Sequence, residues 1–187
     1  MTSGAQRVLV LFAHPAFHRS RVQRALLNAA RTVVGVTVHD VYDAYPDFDI
    51  DVTREQALLA SHDVIVWQHP FFWYSTPAIV KQWQDLVLTH GWAYGREGTA
   101  LHGKQWMHAV SAGGGAAAYT PEGRNRHSVE QLLAPLAQTA RLCGMTWLPP
   151  FVVHGTHVLT NEDLATHAQS YAALLTALRD GRTAESA

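Results

Sequence analysis

Apolar residues along this chain follow two alternating rhythms: short unbroken runs, and longer stretches at helical spacing. Val8 to Phe12 (VLVLF) has the pattern of a strand buried on both faces. From Arg21 to Val33 the apolar residues Val22, Ala25, Leu26, Ala29, Ala30 and Val33 recur at helical spacing, and Ser20 stands where an N-cap belongs. Gly35 closes that unit, and Val36 to His39 predicts a second strand. An aspartate-rich connection, Asp40 to Asp51, leads to a helix from Thr53 to Ser61, with Thr53 and Gln56 placed as a capping box. Asp63 to Gln68 predicts the third strand. A strongly amphipathic helix follows from Thr76 to Thr89, with Ile79, Val80, Trp83, Leu86 and Val87 on one face and Pro77 in its first turn. Lys104 to Ser111 predicts the fourth strand, Val129 to Leu142 a helix, Met145 to Val153 the fifth strand and Asn161 to Arg179 the last helix. From Asp180 to Ala187 the chain is small and polar and is expected to fray.

Such alternation predicts an α/β protein: a five-stranded parallel sheet in the order 2-1-3-4-5, right-handed crossovers, and helices on both faces in three αβα layers. The 187 residues suit one domain, with no internal repeat or linker. A formal net charge of -1 and the absence of a long basic run give no reason to expect nucleic acid. No apolar run reaches spanning length, and the first, Val8 to Ala13, is followed by His-Pro rather than by a cleavage site. The lone cysteine, Cys143, cannot form an internal disulfide; a reducing cytoplasm fits, and a buried structural thiol is expected. Twelve histidines raise the question of a metal, but the pairs His14/His18 and His154/His157 lack a third ligand at a fitting offset, so none is expected.

In an open parallel sheet, ligands bind beyond the carboxyl ends of the strands at the switch point. The loops after strands one, three and four are also those of unusual composition. The first, Ala13 to Ser20, runs into a helix N-terminus, where free amides, the Ser20 hydroxyl and the His14 ring suit a phosphate. Equally, Ser20 only caps the helix and His14 is an ordinary loop residue. No GxxxxGK[ST] or GxGxxG is present, so a ribityl monophosphate fits better than a nucleoside triphosphate. The loop after the third strand carries four consecutive aromatics, Phe71, Phe72, Trp73 and Tyr74. These cannot all face inward, and either a flat cofactor or a dimer interface would cover them. The loop after the fourth strand, Ser111-Ala112-Gly113-Gly114-Gly115, lets backbone approach a flat ring, or is merely flexible; Tyr119, Arg124 and Asn125 beyond it are candidates to line a substrate pocket.

Taken together, Val8 to Ser20, Gln68 to Trp83, His90 to Lys104 and Ser111 to Gly115 resemble the flavodoxin-like NAD(P)H:quinone oxidoreductases. Within them the chain looks most like the ancillary subunits of the glutathione-regulated potassium-efflux antiporters. Tyr45 to Asp51, Leu142 to Gly144 and Trp147 to Phe151 extend the likeness, which spans Arg7 to about Leu178. The resemblance implies a homodimer with an FMN site at each subunit boundary, FAD being the less fitting flavin for a short chain. It implies that His14, Ser20, Arg21, Val22 and Gln23 hold the phosphate end. Phe71, Phe72, Trp73 and Tyr74 would carry the isoalloxazine edge largely through main chain, and Ser111, Ala112, Gly113 and Gly114 would meet its other side. Trp92 and Tyr94 would approach the partner's site. Tyr119 falls where many relatives hold a tyrosine that bonds quinone or flavin, and Asn125 where the mammalian-type enzymes hold a catalytic histidine, leaving proton delivery to Tyr119 or to nearby His127. Relatives often carry Asn at Gln23 and Gln at Phe72. The implied activity is two-electron hydride transfer from NADH or NADPH through FMN to a quinone-like acceptor. The implied alternative is a regulatory subunit held at the inner face of the membrane by an antiporter, with which a neutral, Trp-rich surface is compatible. A one-electron carrier would call for a strongly acidic balance, which is lacking.

Overall fold

All five residues of β1 (Val8–Phe12) are buried, which is why a run without polar alternation forms the middle of the sheet. The computed structural model describes residues 4–182. β1 pairs in parallel with β2 (Val36–Asp40) on one side and β3 (Val64–Pro70) on the other, and β3 pairs with β4 (Gln105–Ser111). The sheet order is β2-β1-β3-β4-β5, as the alternation predicts. The expected fifth strand, however, is two pieces along β4: β5 (Thr146–Trp147) and β6 (Phe151–Val153). Pro149 and Pro150 cannot donate to a ladder, so pairing lapses there and resumes one residue out of register.

Helices cover both faces. α1 (Arg21–Thr32) and α7 (Asn161–Arg179) lie on one, burying Val22, Leu26, Ala30, Tyr171 and Leu175 against Val8, Val10, Val64 and Val66. α3 (Val52–Ala60), α4 (Ala78–Val87) and α6 (Ala134–Leu142) cover the other, packing Leu59, Ile79, Trp83 and Ala140 against Leu9, Leu11, Ile65 and Trp67. The remaining helical segments among the described residues are the single α-turns α2 (Val41–Ala44) and α5 (Val129–Leu132) and two short 3-10 turns, Phe17–Arg19 and Ala116–Tyr119. The expected helix 129–142 is thus interrupted at Leu133, since Pro135 offers no amide to carry the ladder through. α3 starts one residue before Thr53: Asp51 accepts the Arg54 amide at 3.0 Å, while Gln56 donates across to Val87 O and Thr89 Oγ1. Leu86 falls on the solvent side of α4, and Gln84 takes its expected place inside. α7 ends in a Schellman motif, with Gly181 in the left-handed region and amides 181 and 182 bonding back to Leu178 O and Ala177 O. The rest of the expected tail, residues 183–187, lies outside the described residues.

The tryptophans are mostly interior. Trp67, Trp83 and Trp106 are fully buried, Trp67 and Trp83 edge to face at 5.0 Å, so the expected Trp-rich surface reduces chiefly to Trp73. Trp83 Nε1 donates to the fully buried Glu55 at 2.8 Å, Tyr45 OH donates at 2.7 Å, and His39 Nε2 lies 2.9 Å from the same carboxylate. Burial pushes the Glu55 carboxyl up, but these three partners outweigh it and hold it below its ordinary value. Cys143 is buried at the C-terminus of α6, where burial raises its thiol, as expected of a structural cysteine.

Candidate functional site

The carboxyl ends of β1, β3, β4 and β6 open onto a cleft of about 600 Å3 lined by His14, Ala16, Arg19, Ser20, Arg21, Val22, Pro70, Phe71, Phe72, Ser111, Gly113, Thr156 and His157. Its lining residues include two arginines and two histidines and no carboxylate.

One end of the cleft is the start of α1. Ser20 Oγ accepts the Gln23 amide at 3.2 Å, as an N-cap does. The amides of Arg21 and Val22, in the first turn, have no carbonyl within the helix to bond and carry the dipole's positive end. His14 Nδ1 accepts the Ala16 amide at 3.0 Å, so its proton sits on Nε2. Burial lowers the His14 pKa, outweighing the opposing pull of the residue's own main chain; the ring is a neutral donor. The Arg21 guanidinium turns away to Leu159 O and Asn161 Oδ1, tying α1 to the start of α7, so what Arg21 offers the cleft is its main chain. Arg19 lines the cleft, and its guanidinium makes no hydrogen bond or ion pair among the described residues.

Gln23 sits beneath the floor, fully buried. Its Nε2 donates to His69 O and to Ser111 Oγ, both at 2.8 Å, and its Oε1 accepts Gln68 Nε2 at 3.0 Å. The side chain thus stitches α1, β3 and β4 together and does not reach a ligand in the cleft.

The aromatic segment is a tight turn. Ser75 N donates to Phe72 O at 2.9 Å, and Trp73 and Tyr74 both have positive φ, at 49° and 64°. Two left-handed central residues make a type I′ turn, a conformation that normally selects glycine or asparagine. Phe71 is buried, Phe72 and Tyr74 are 42% and 46% exposed, and Trp73 is 93% exposed. Phe72 stands edge-on to His14 at 6.0 Å; Trp73 and Tyr74 lie outside the cleft lining.

On the glycine side, a Cβ on Gly113 would lie 3.0 Å from His157 Nε2, and one on Gly114 would lie 3.1 Å from the Tyr119 ring. Two rings occupy the space that side chains would need, which explains the glycines better than flexibility does. Ala112 is buried, its amide donating to Val153 O at 2.8 Å. Tyr119 packs against Phe71 and His154, with ring centroids 6.0 and 5.3 Å away, and burial raises its hydroxyl pKa. Asn125 Oδ1 accepts from Tyr74 OH at 3.3 Å, so Tyr119 and Asn125 border the aromatic turn and stand apart from the start of α1. His127 is exposed; Trp92 and Tyr94 pack partly buried against the core beside α4.

Sequence reasoning missed Arg19, Thr156 and His157 as cleft residues. The rule that ligands sit beyond strand ends applies equally to the last strand, whose following loop, Gly155-Thr156-His157, closes the cleft. Among the described residues, no three of His, Cys, Asp and Glu converge, and no helix is long and apolar enough to cross a membrane.

A family model described by its flavodoxin-like fold matches residues 6–175. General stress protein 14 from Treponema denticola, solved in complex with FMN, is 40% identical over 92% of this chain and 99% of its own, with a TM-score of 0.88. A chain in the crystal structure of a thermophilic tryptophan halogenase (Th-Hal) enzyme from Streptomycin violaceusniger is 44% identical over 87% of this chain and 95% of its own, with a TM-score of 0.85. An NADPH-quinone reductase from P. pentosaceus is 30% identical over 90% and 96%, with a TM-score of 0.82.

Proposed function

We propose, since this chain belongs to the family with the flavodoxin-like fold, that its cleft binds FMN and that the protein transfers a hydride from NADH or NADPH to a quinone-like acceptor. One observation carries this: an acid-free cleft with a capped helix start at one end and an aromatic turn facing a glycine loop at the other. A molecule with a phosphate tail and a flat polar-edged ring matches both ends; the helix start suits the dianion, and the ring would cover Phe71 and Phe72.

Bound FMN would supply reversible two-electron chemistry. The protein's own part is to hold and to shield. Ser20 retains a hydroxyl proton after capping, and with His14 Nε2–H and the amides of Arg21 and Val22 it offers the phosphate neutral donors. Arg19 adds a full charge. The main chain of Phe71 to Tyr74 and of Ser111 to Gly114 borders the ring. Tyr119, whose raised pKa keeps its proton, is placed to donate a hydrogen bond to an acceptor oxygen, beside Asn125 and Tyr74. The exposed Trp73, with Phe72 and Tyr74 beside it in the chain, suits burial against a second copy, consistent with a homodimer.

The test is an absorption spectrum of the purified protein with mass analysis of released flavin, then NADH and NADPH oxidation with and without a simple quinone. A yellow protein releasing FMN, with turnover that needs the quinone, is expected. Protein that stays colourless after FMN is added would sink the proposal.

A further inference from the structure

On the face of β3 opposite Gln68, four groups are wired in one direction. Trp106 Nε1 donates to His108 Nε2 at 3.0 Å. His108 Nδ1 and His69 Nε2 face each other at 2.8 Å, and His69 Nδ1 lies 2.9 Å from the carbonyl oxygen of Pro70. An indole N–H only donates and a carbonyl oxygen only accepts, so the two ends fix everything between them. His108 accepts on Nε2, therefore carries its proton on Nδ1 and donates it to His69 Nε2. His69 carries its own proton on Nδ1 and gives that hydrogen bond to Pro70. Neither ring has any exposed surface, and a second proton on either would set two N–H groups against each other.

This polarity rules out proton transfer along the chain, because reversing it would require Trp106 to accept or Pro70 to donate. What the row does is grip a carbonyl. Phe71 N, at the other end of the same peptide, donates to Ser111 O at 2.8 Å, so the Pro70–Phe71 peptide is pinned at both its polar atoms. It is the last peptide of β3 before the aromatic turn. On the opposite face, Gln23 holds the His69 carbonyl. Apolar side chains would fill the same space without the desolvation cost of two imidazoles, so orienting that peptide is the evident use of the pair.

We propose that His69, backed by His108 and Trp106, is a positioning residue whose bond to the Pro70 carbonyl sets the plane from which the aromatic turn leaves β3, and so aims that turn's main chain at the bound ring. The aiming rests on the FMN assignment above; the strut itself is testable without it.

Three substitutions separate its parts. His69→Asn keeps a donor near the Nδ1 position; His69→Gln keeps an acceptor for His108 near Nε2 but abandons Pro70; His69→Phe keeps neither. In FMN-free protein, Phe71 amide exchange should rise about tenfold in His69→Gln and His69→Phe, the factor of one ordinary hydrogen bond, and stay near wild type in His69→Asn. The FMN dissociation constant should rank the variants in the same order. Nitrogen-15 spectra of wild-type protein, which need no variant to fold, should show both histidines neutral with the proton on Nδ1. An Nε2–H tautomer at either ring overturns the inference, as does equal loss in all three variants, which marks packing alone. Should the wild type take no FMN, the cofactor assignment fails by itself, and exchange and tautomer still decide the strut.

Discussion

Ser20 serves the helix and the cleft with one oxygen. Replacing it with Ala removes the cap on the Gln23 amide and should cost about 1 kcal/mol of stability, whereas Gly should cost only a few tenths. If the hydroxyl also donates to a phosphate, both variants should lose FMN affinity equally despite their different stabilities; denaturant midpoints and flavin fluorescence titrations read the two effects apart. Gln23 tests the opposite situation, a buried amide that faces no ligand. Gln23→Leu removes the buried donor to the His69 carbonyl and to Ser111 Oγ, and leaves Gln68 Nε2 only the Gln23 carbonyl at 3.2 Å. Each unsatisfied group costs about 1–3 kcal/mol, so this variant should unfold at markedly lower denaturant than Ser20→Ala. It was the family resemblance that put Gln23 among the residues holding the phosphate end. The direction of its side chain depends on β3 and β4 passing under α1, which no local pattern encodes.

At the scale of the element, the turn at Trp73 and Tyr74 holds two bulky residues in a region costing each of order 1–3 kcal/mol. Trp73→Gly should therefore stabilise the protein by about 1 kcal/mol, since the lost side chain is almost wholly exposed, and should weaken FMN binding or self-association if the turn's shape serves either. A denaturation curve paired with sedimentation at several concentrations checks both halves. β1 and α1 were legible because their information is local: an unbroken apolar run, and a period with a cap before it. The breaks in 129–142 and 145–153 were also written in the chain, as Pro135 and Pro149-Pro150, but apolar periodicity runs across them and drowns the missing amides. The cleft was half legible for a different reason. Loops after β1, β3 and β4 announce themselves by composition, while Arg19, Thr156 and His157 are ordinary letters until topology brings their segments to one rim.

Across the whole molecule, acid should loosen the fold in two stages. Burial drives His69 down to about 4 from its ordinary 6.5, and His108 well below that ordinary value, while burial also lowers His14 and His154. The unfolded chain binds protons at these rings that the folded chain excludes, so stability present above pH 6.5 is lost as pH falls toward 4. Glu55, held below its ordinary value by its three partners, adds a further loss below about 4.5, where the unfolded carboxyl protonates first. Urea midpoints should decline steadily from pH 7 to 5 and then more steeply; a flat profile between 7 and 5 would contradict the buried neutral pair. The split of the last strand at Pro149-Pro150 bears on how copies of this molecule meet. A sheet's open flank invites a foreign strand to continue the ladder, the first step of templated aggregation, and a broken, proline-studded border offers too few consecutive amides to begin one. The flank beyond β4 is thereby inert toward a strand from another copy.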